Sequence, residues 1–204
     1  MRYLDDAYET AAPGAHAAYV TVAATCGMRI GELLGCPETA VDLPKRLLHV
    51  HQTLISAGRE PEFGEPETEQ GRRTIMLPDV AVHAIQRALL WKKEQRLGPK
   101  FRDAGVLFCD PYGRPIFLSN LHRRDHRPRL ARLGLPQTRI HDLRHFHATF
   151  LVESGADART VSDRLGHSSP SFTLKAYVHP AEQAQRRAAS MADAMFARTG
   201  RNAR

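Results

Sequence analysis

Two stretches of this 204-residue chain carry strand periodicity, and nearly everything around them carries helix periodicity. LLHVHQTLI, residues 47–55, alternates in a way that sets its Leu and Val side chains on one face. RRTIMLP, residues 72–78, is a second strand candidate. Between them SAGREPEFGEPETEQG, residues 56–71, is rich in turn formers, so the two runs read as antiparallel partners joined by a long polar hairpin. So small a sheet cannot bury its apolar face by itself and needs helices against it. The expected fold class is therefore α+β and mostly α-helical, with one small antiparallel β-sheet.

The helices can be read from their ends. Apolar, Ala-rich His16–Cys26 reads as a buried helix interrupted by Gly27, and Ile30–Leu34 as a short second helix stopped by the sequence GCP. Pro78 and Asp79 open a helix to about Leu97, with Val80, Ile85, Leu89 and Leu90 expected on its buried side. VLFCD reads as a short strand leading into the turn DPYGRP, and Ser119 as the cap of a helix to Leu133. Further helices are expected over Asp142–Ser154, Ala158–Leu165, Ser171–Tyr177 and Ala181–Ala197. No internal repeat or low-complexity linker divides the chain, which reads as a single domain over residues 1–204.

A net charge of +7 favours a polyanionic partner. Three scattered cysteines, Cys26, Cys36 and Cys109, fit neither a disulfide framework nor a four-cysteine zinc site, and read as reduced, buried thiols of a cytoplasmic protein. The acidic N-terminus MRYLDDAYET is no signal peptide, and no apolar run approaches the ~18 residues of a membrane span.

Chemistry concentrates in HDLRHFHATF, where His141 and Arg144 are three residues apart and share a helix face, so both can reach one anion. CGMRIGEL places Arg29 after a glycine break, with Glu32 one turn on and able to orient it. RLGHSS places His167 at a helix end marked by glycine, and TLKAYVH places Tyr177 ten residues later. Two arginines, two histidines and a tyrosine suit phosphoryl transfer, which needs charge neutralisation, proton transfer and an in-line nucleophile. A tyrosine hydroxyl with a reference pKa of ~10 is about 4 kcal/mol short of ionised at pH 7, so it needs a base and a cationic pocket.

The three segments CGMRIGEL, HDLRHFHATFLVESGAD and VSDRLGHSSPSFTLKAYVH resemble, in order and spacing, the boxes of the catalytic domain of tyrosine recombinases, the phage-integrase family. The resemblance runs from about Ala12 to Ala189. It implies that Arg29, supported by Glu32, is the first catalytic arginine. It implies that Arg144 holds the phosphate while His141 contacts it and helps manage the tyrosine's proton. His167 would hydrogen-bond a non-bridging oxygen. Tyr177 would be the nucleophile, forming a 3′-phosphotyrosyl bond with double-stranded DNA and freeing a 5′-hydroxyl. No metal or nucleotide cofactor is needed in such a site. Assembly as a homo-tetramer on DNA through the C-terminal helix, and a cytoplasmic, nucleoid-associated location, are implied too.

Two departures stand out. Integrases of this kind usually carry a lysine before the second strand, as proton donor to the leaving 5′-oxygen. Here that slot holds Glu67, and no lysine lies between Lys45 and Lys92. Losing a positioned general acid costs ~10²- to 10⁴-fold. Family members also usually have a helical core-binding domain ahead of the catalytic one. Few residues precede the first matching helix here, so an isolated catalytic domain, natural or truncated, is expected.

Plainer readings stand beside these. Arg29 alone could be a salt-bridge residue and Tyr177 alone a packing residue. His145 and His147 match no catalytic slot and read as packing or surface residues. His141 and His145 have the i, i+4 spacing of zinc ligands but no evident third partner, so no metal is expected. The basic run HRRDHRPRLAR, residues 122–132, reads as a DNA-backbone contact through Arg123, Arg124 and Arg127, joined by Arg72, Arg73 and Lys175. Three readings follow: a strand-transfer enzyme, a DNA-binding relative impaired at Glu67, and an unrelated basic metalloenzyme.

Overall fold

A computed structural model describes residues 2–9, 15–57, 60–167, 189–190 and 193–194. The expected helices over Ser171–Tyr177 and Ala181–Ala197, and with them Tyr177 and Lys175, lie outside the described residues apart from short turns of the second.

The first element, α1 (Arg2–Glu9), was not expected from its acidic sequence. Its reason is tertiary. Asp6 pairs with Arg129 at 2.6 Å and Arg132 at 2.8 Å, and the Tyr3 hydroxyl lies 2.6 Å from His126 Nδ1. Helix α2 (Ala15–Cys26) is the buried centre of the domain, and α3 (Ile30–Leu34) follows the Gly27 break as expected.

The sheet expectation needs correcting. Strand character over 47–55 is split into β2 (Leu47–Val50) and β3 (Thr53–Ser56), which enter different sheets. Strand β2 is central in a three-stranded antiparallel sheet, between β1 (Val41–Asp42) and β5 (Arg73–Met76). Strand β3 pairs instead with β4 (Glu62–Gly64). The switch is made at Gln52, whose amide donates to the Gly35 carbonyl at 2.9 Å and ties the crossing to the end of α3. Gly35 has no room for a side chain, since a Cβ there would lie 2.3 Å from the Leu54 nitrogen.

Helix α4 (Asp79–Gln95) buries Ala81, Ala84, Ile85, Ala88 and Lys92. Small residues on this stripe let α4 lie close along α2. Val80 is 38% and Leu90 61% exposed, against expectation. At about 100° per residue Leu90 falls opposite the alanine stripe, so apolarity alone misplaced both. Buried Lys92 is satisfied by Glu38 at 2.8 Å, Asp103 at 2.9 Å and the Val106 carbonyl at 2.8 Å. VLFCD forms only isolated bridges, Pro37 with Val106 and Cys109 with Pro115, rather than a strand.

Ser119 does not cap a helix. Phe117 precedes α5 (Leu118–Leu121), a π-helical turn covers His122–His126, and α6 (Arg127–Arg132) follows. Helices α7 (Asp142–Glu153) and α8 (Ala158–Leu165) fall where the sequence puts them, with the Asp157 carboxylate capping α8 through the Thr160 N–H at 2.9 Å. All three cysteines are buried and free. Among the described residues no helix is long and apolar enough to cross a membrane.

Candidate active site

The α2–α3 break, strand β5, the start of α7 and the end of α8 converge. Arg29 precedes α3 and is fixed from two sides: its Nη1 donates to Glu32 Oε1 at 2.8 Å, and its Nη2 to the Gly166 carbonyl at 3.1 Å. The other Glu32 oxygen accepts the Arg29 backbone N–H at 2.9 Å.

Glu32 also binds a second arginine. Arg73 lays its guanidinium across both carboxylate oxygens, Nη1 to Oε1 at 3.1 Å and Nη2 to Oε2 at 2.8 Å. Its Nε donates to the Arg164 carbonyl at 2.8 Å. The Glu32 and Arg73 side chains are 2% and 7% exposed, so the Arg73 guanidinium is held inside the molecule beside Glu32. Strand alternation carries that signal, because Arg73 shares the inward face of β5 with Ile75 while Thr74 and Met76 point outward. Burial pushes the Glu32 carboxyl upward, but Arg73 and Arg29 together bring it below its ordinary range.

Arg144 is buried on α7 and donates to the Gly27 carbonyl at 2.5 Å. Gly27 has φ +65°, and a Cβ on it would strike His147 Cδ2 at 2.6 Å and Leu165 Cδ2 at 2.7 Å. That left-handed turn lets the Gly27 carbonyl meet Arg144 while α7 and α8 close over it. His141 stands at the N-cap of α7 in a T-shaped contact with His145, their ring centroids 5.2 Å apart.

His167 follows Gly166, whose φ of +68° ends α8 in a left-handed cap. Its imidazole is pushed down to about 4, first by burial and then by Arg144, Arg29, Arg73 and His145. Arg144, Arg29 and Arg73, from three separate segments, thus bring positive charge to the imidazole, and positive charge so gathered attracts an anion.

The remaining candidates divide. Arg123, Arg124 and Arg127 are exposed on the π turn and α6. His126 and Arg129 of the same basic run are buried against Tyr3, Asp6 and Asp125. Arg72 is exposed and pairs with Glu65. Glu67 is exposed, between β4 and the short 3₁₀ turn Glu69–Gly71. Among the described residues no cluster of three metal-ligating side chains occurs.

The profile of the Phage integrase family matches residues 2–184. The chain belongs to the phage integrase family. This integrase-family chain is 31% identical over 167 residues to a tyrosine recombinase XerC-like protein of Caldanaerobacter subterraneus, covering 75% of the chain and 42% of that protein. It is 28% identical over 171 residues to the integrase of Staphylococcus phage L54a, covering 82% of the chain and 48% of the relative. The chain thus spans less than half the length of these relatives. Among solved structures it resembles the Tn1549 transposon integrase in complex with circular intermediate DNA, with a TM-score of 0.76 at 22% identity over 93% of this chain and 64% of that one. The XerA recombinase follows at TM-score 0.67 and 23% identity, covering 93% of this chain and 62% of that one. The expected α+β catalytic-domain fold is therefore the fold observed.

Acid should weaken this integrase-family domain in a defined window. Burial, then Arg164, holds His147 down at about 4 in the folded chain, and His167 is held equally low. A histidine lowered on folding binds its proton sooner in the unfolded chain. Stability is therefore intact above the ordinary value near 6.5 and falls as pH drops from there to about 4. Buried His147 alone accounts for on the order of 3 kcal/mol across that window. Urea unfolding at pH 7.5 and pH 4.5 measures it; equal midpoints would show that neither histidine is held neutral.

Proposed function

We propose that this chain is a single catalytic domain that cleaves and rejoins double-stranded DNA through a 3′-phosphotyrosyl intermediate at Tyr177, in site-specific recombination or integration. The observation that carries the reading is the convergence of Arg29, Arg144 and Arg73 on His167, with His141 one helical turn from Arg144. In the reaction the Tyr177 oxygen attacks phosphorus, a new P–O bond forms, and the bond to the 5′-oxygen breaks. Arg29 and Arg144 neutralise the charge that grows on the non-bridging oxygens. His167, neutral at pH 7, donates one N–H to such an oxygen, and His141 helps take up the tyrosine's proton. The 5′-oxygen leaves as a hydroxyl, and rejoining is the same step reversed with that hydroxyl as nucleophile.

Glu67 stands where the family's proton-donating lysine is expected, so on this reading the leaving 5′-oxygen takes its proton from water and cleavage is slow. Arg123, Arg124, Arg127, Arg72 and Lys175 serve the DNA backbone, while Arg73 positions Glu32. A homo-tetramer on DNA, joined through the C-terminal helix, and a place on the cytoplasmic nucleoid follow from the same substrate. The Tn1549 integrase and XerH recombinase solved with DNA support the choice of ligand.

A duplex nicked so that the short 5′-hydroxyl fragment diffuses away tests the proposal. The chain should accumulate a DNA adduct that survives denaturation, with the modified peptide carrying Tyr177. DNA binding without any adduct after prolonged incubation would leave only a binding protein.

A further inference from the structure

The proposed mechanism leaves one ionisable pair unused, a buried histidine and a half-buried arginine. His147 lies on α7 one turn beyond Arg144, and Arg164 lies in the last turn of α8. His147 Nδ1 is 3.0 Å from the Ala24 carbonyl, which can only accept, so Nδ1 carries the proton. Its Nε2 is then an acceptor, and it receives the Nε–H of Arg164 at 3.1 Å. The tautomer follows from geometry.

Arg164 is held on three elements at once. Besides His147 on α7, its Nη2 donates to the Thr25 carbonyl of α2 at 3.0 Å and its Nη1 to the Met76 carbonyl of β5 at 3.2 Å. Among the described residues no carboxylate pairs with it. Arg73 and Arg129, by contrast, are matched to Glu32, Asp6 and Asp125. A guanidinium held by neutral acceptors keeps its charge in the local field and also fixes direction, since its planar fork admits one geometry.

What the tripod fixes is the final turn of α8. Two backbone carbonyls of that turn grip the site's arginines: that of Arg164 accepts Arg73 Nε at 2.8 Å, and that of Gly166 accepts Arg29 Nη2 at 3.1 Å. The next residue is His167. A rotation of this turn would move Arg29, Arg73 and His167 together.

We propose that His147 and Arg164 are positioning residues for the strand-transfer reaction: His147 locks the Arg164 side chain, and Arg164 sets the α8 turn whose carbonyls aim Arg29 and Arg73 and whose end carries His167. This rests on the functional reading above. Neither side chain touches the phosphate. Their contribution is orientation, where small displacements cost rate without costing affinity.

The test uses four variants of the whole chain. His147→Gln can still offer an acceptor to Arg164, His147→Asn can still donate to Ala24 but cannot reach Arg164, His147→Leu does neither, and Arg164→Lys loses the fork. Single-turnover cleavage of the nicked duplex should fall about 10-fold or more in the Asn, Leu and Lys variants and about 3-fold or less in His147→Gln, with DNA-binding Kd within about 2-fold throughout. The double variant His147→Leu/Arg164→Lys should be no slower than either single, because one device is removed once. Additive losses, or equal cleavage by the Gln and Asn variants, would overturn the proposal; the Gln and Asn comparison decides even if the Leu variant does not fold. A second readout separates this inference from the reaction itself. In the side-chain NMR of the wild type, Arg164 and Arg73 should each give a slowly exchanging Nε–H signal, and the Asn variant should move both. If the wild type forms no adduct, the functional reading fails, and the relay stands or falls on whether Arg73 Nε–H responds to His147.

Discussion

Tyr177→Phe should form no covalent DNA adduct at all, while its Kd for DNA stays within about 2-fold of the wild type, since one phenol oxygen adds little to a phosphate-dominated affinity. The argument is chemical. Bringing a tyrosine oxygen to its anionic form at pH 7 costs about 4 kcal/mol, and on the proposed reading the cationic site offsets that cost. Burial first, and then Arg144, Arg29 and Arg73, hold His167 neutral, so the pocket is both dry and positive. Phenylalanine presents no oxygen to that field, so the loss is complete instead of graded. Denaturing gels of the nicked-duplex reaction measure it. Adduct formation by the Phe variant would move the nucleophile to another residue and would dissolve the alignment of TLKAYVH with the third box.

Glu32→Ala should destabilise the domain by about 3–5 kcal/mol and also suppress cleavage by about 10²-fold or more. Glu32 is the shared anion of an Arg–Glu–Arg triad, and its removal strands the Arg73 guanidinium, 7% exposed, without a counter-charge. The two effects have different origins. Stability is lost because a buried charge is uncompensated; rate is lost because Arg29, among the described residues, keeps its bond to the Gly166 carbonyl but loses both bonds to Glu32. Glu32→Ala/Arg73→Met, which removes the stranded charge as well, should regain much of the stability and none of the rate. Urea unfolding with single-turnover cleavage checks both halves. A wild-type midpoint in the single variant would show that Arg73 finds other partners.

How much of this was legible beforehand depends on whether the deciding partner is near in sequence. Helix α2 ends at the Gly27 break and α8 at Gly166, where the sequence says they should, because left-handed turns are local. The pairing of Arg29 with Glu32 is legible for the same reason. Long-range partners were not. Helix α1 exists through Asp6 and Tyr3 meeting Arg129 and His126, more than a hundred residues away. The single strand expected over residues 47–55 is broken by Gln52 reaching Gly35, a contact no alternation pattern encodes. Arg73 is grouped with Arg72 as a basic DNA-backbone contact, although strand alternation carried on from β5 puts the two side chains on opposite faces. His147 read as a packing residue, which its burial matches, but its bonds to Ala24 and Arg164 needed the fold.

The π turn at His122–His126 carries a consequence for insertions and deletions. A π turn holds one more residue than the α-helical turn it replaces, so removing any one residue there would leave a straight α-helix. The wider turn absorbs the extra residue, so everything downstream would keep its phase relative to α5. Arg129 and Leu130 would still face Asp6 and the core. A one-residue insertion is the opposite case: with the slack already used, it would rotate the downstream segment by about 100° and carry both residues away from their partners. The π turn is thus a reserve of one residue, which lets this segment shorten by one codon without losing its phase but not lengthen by one.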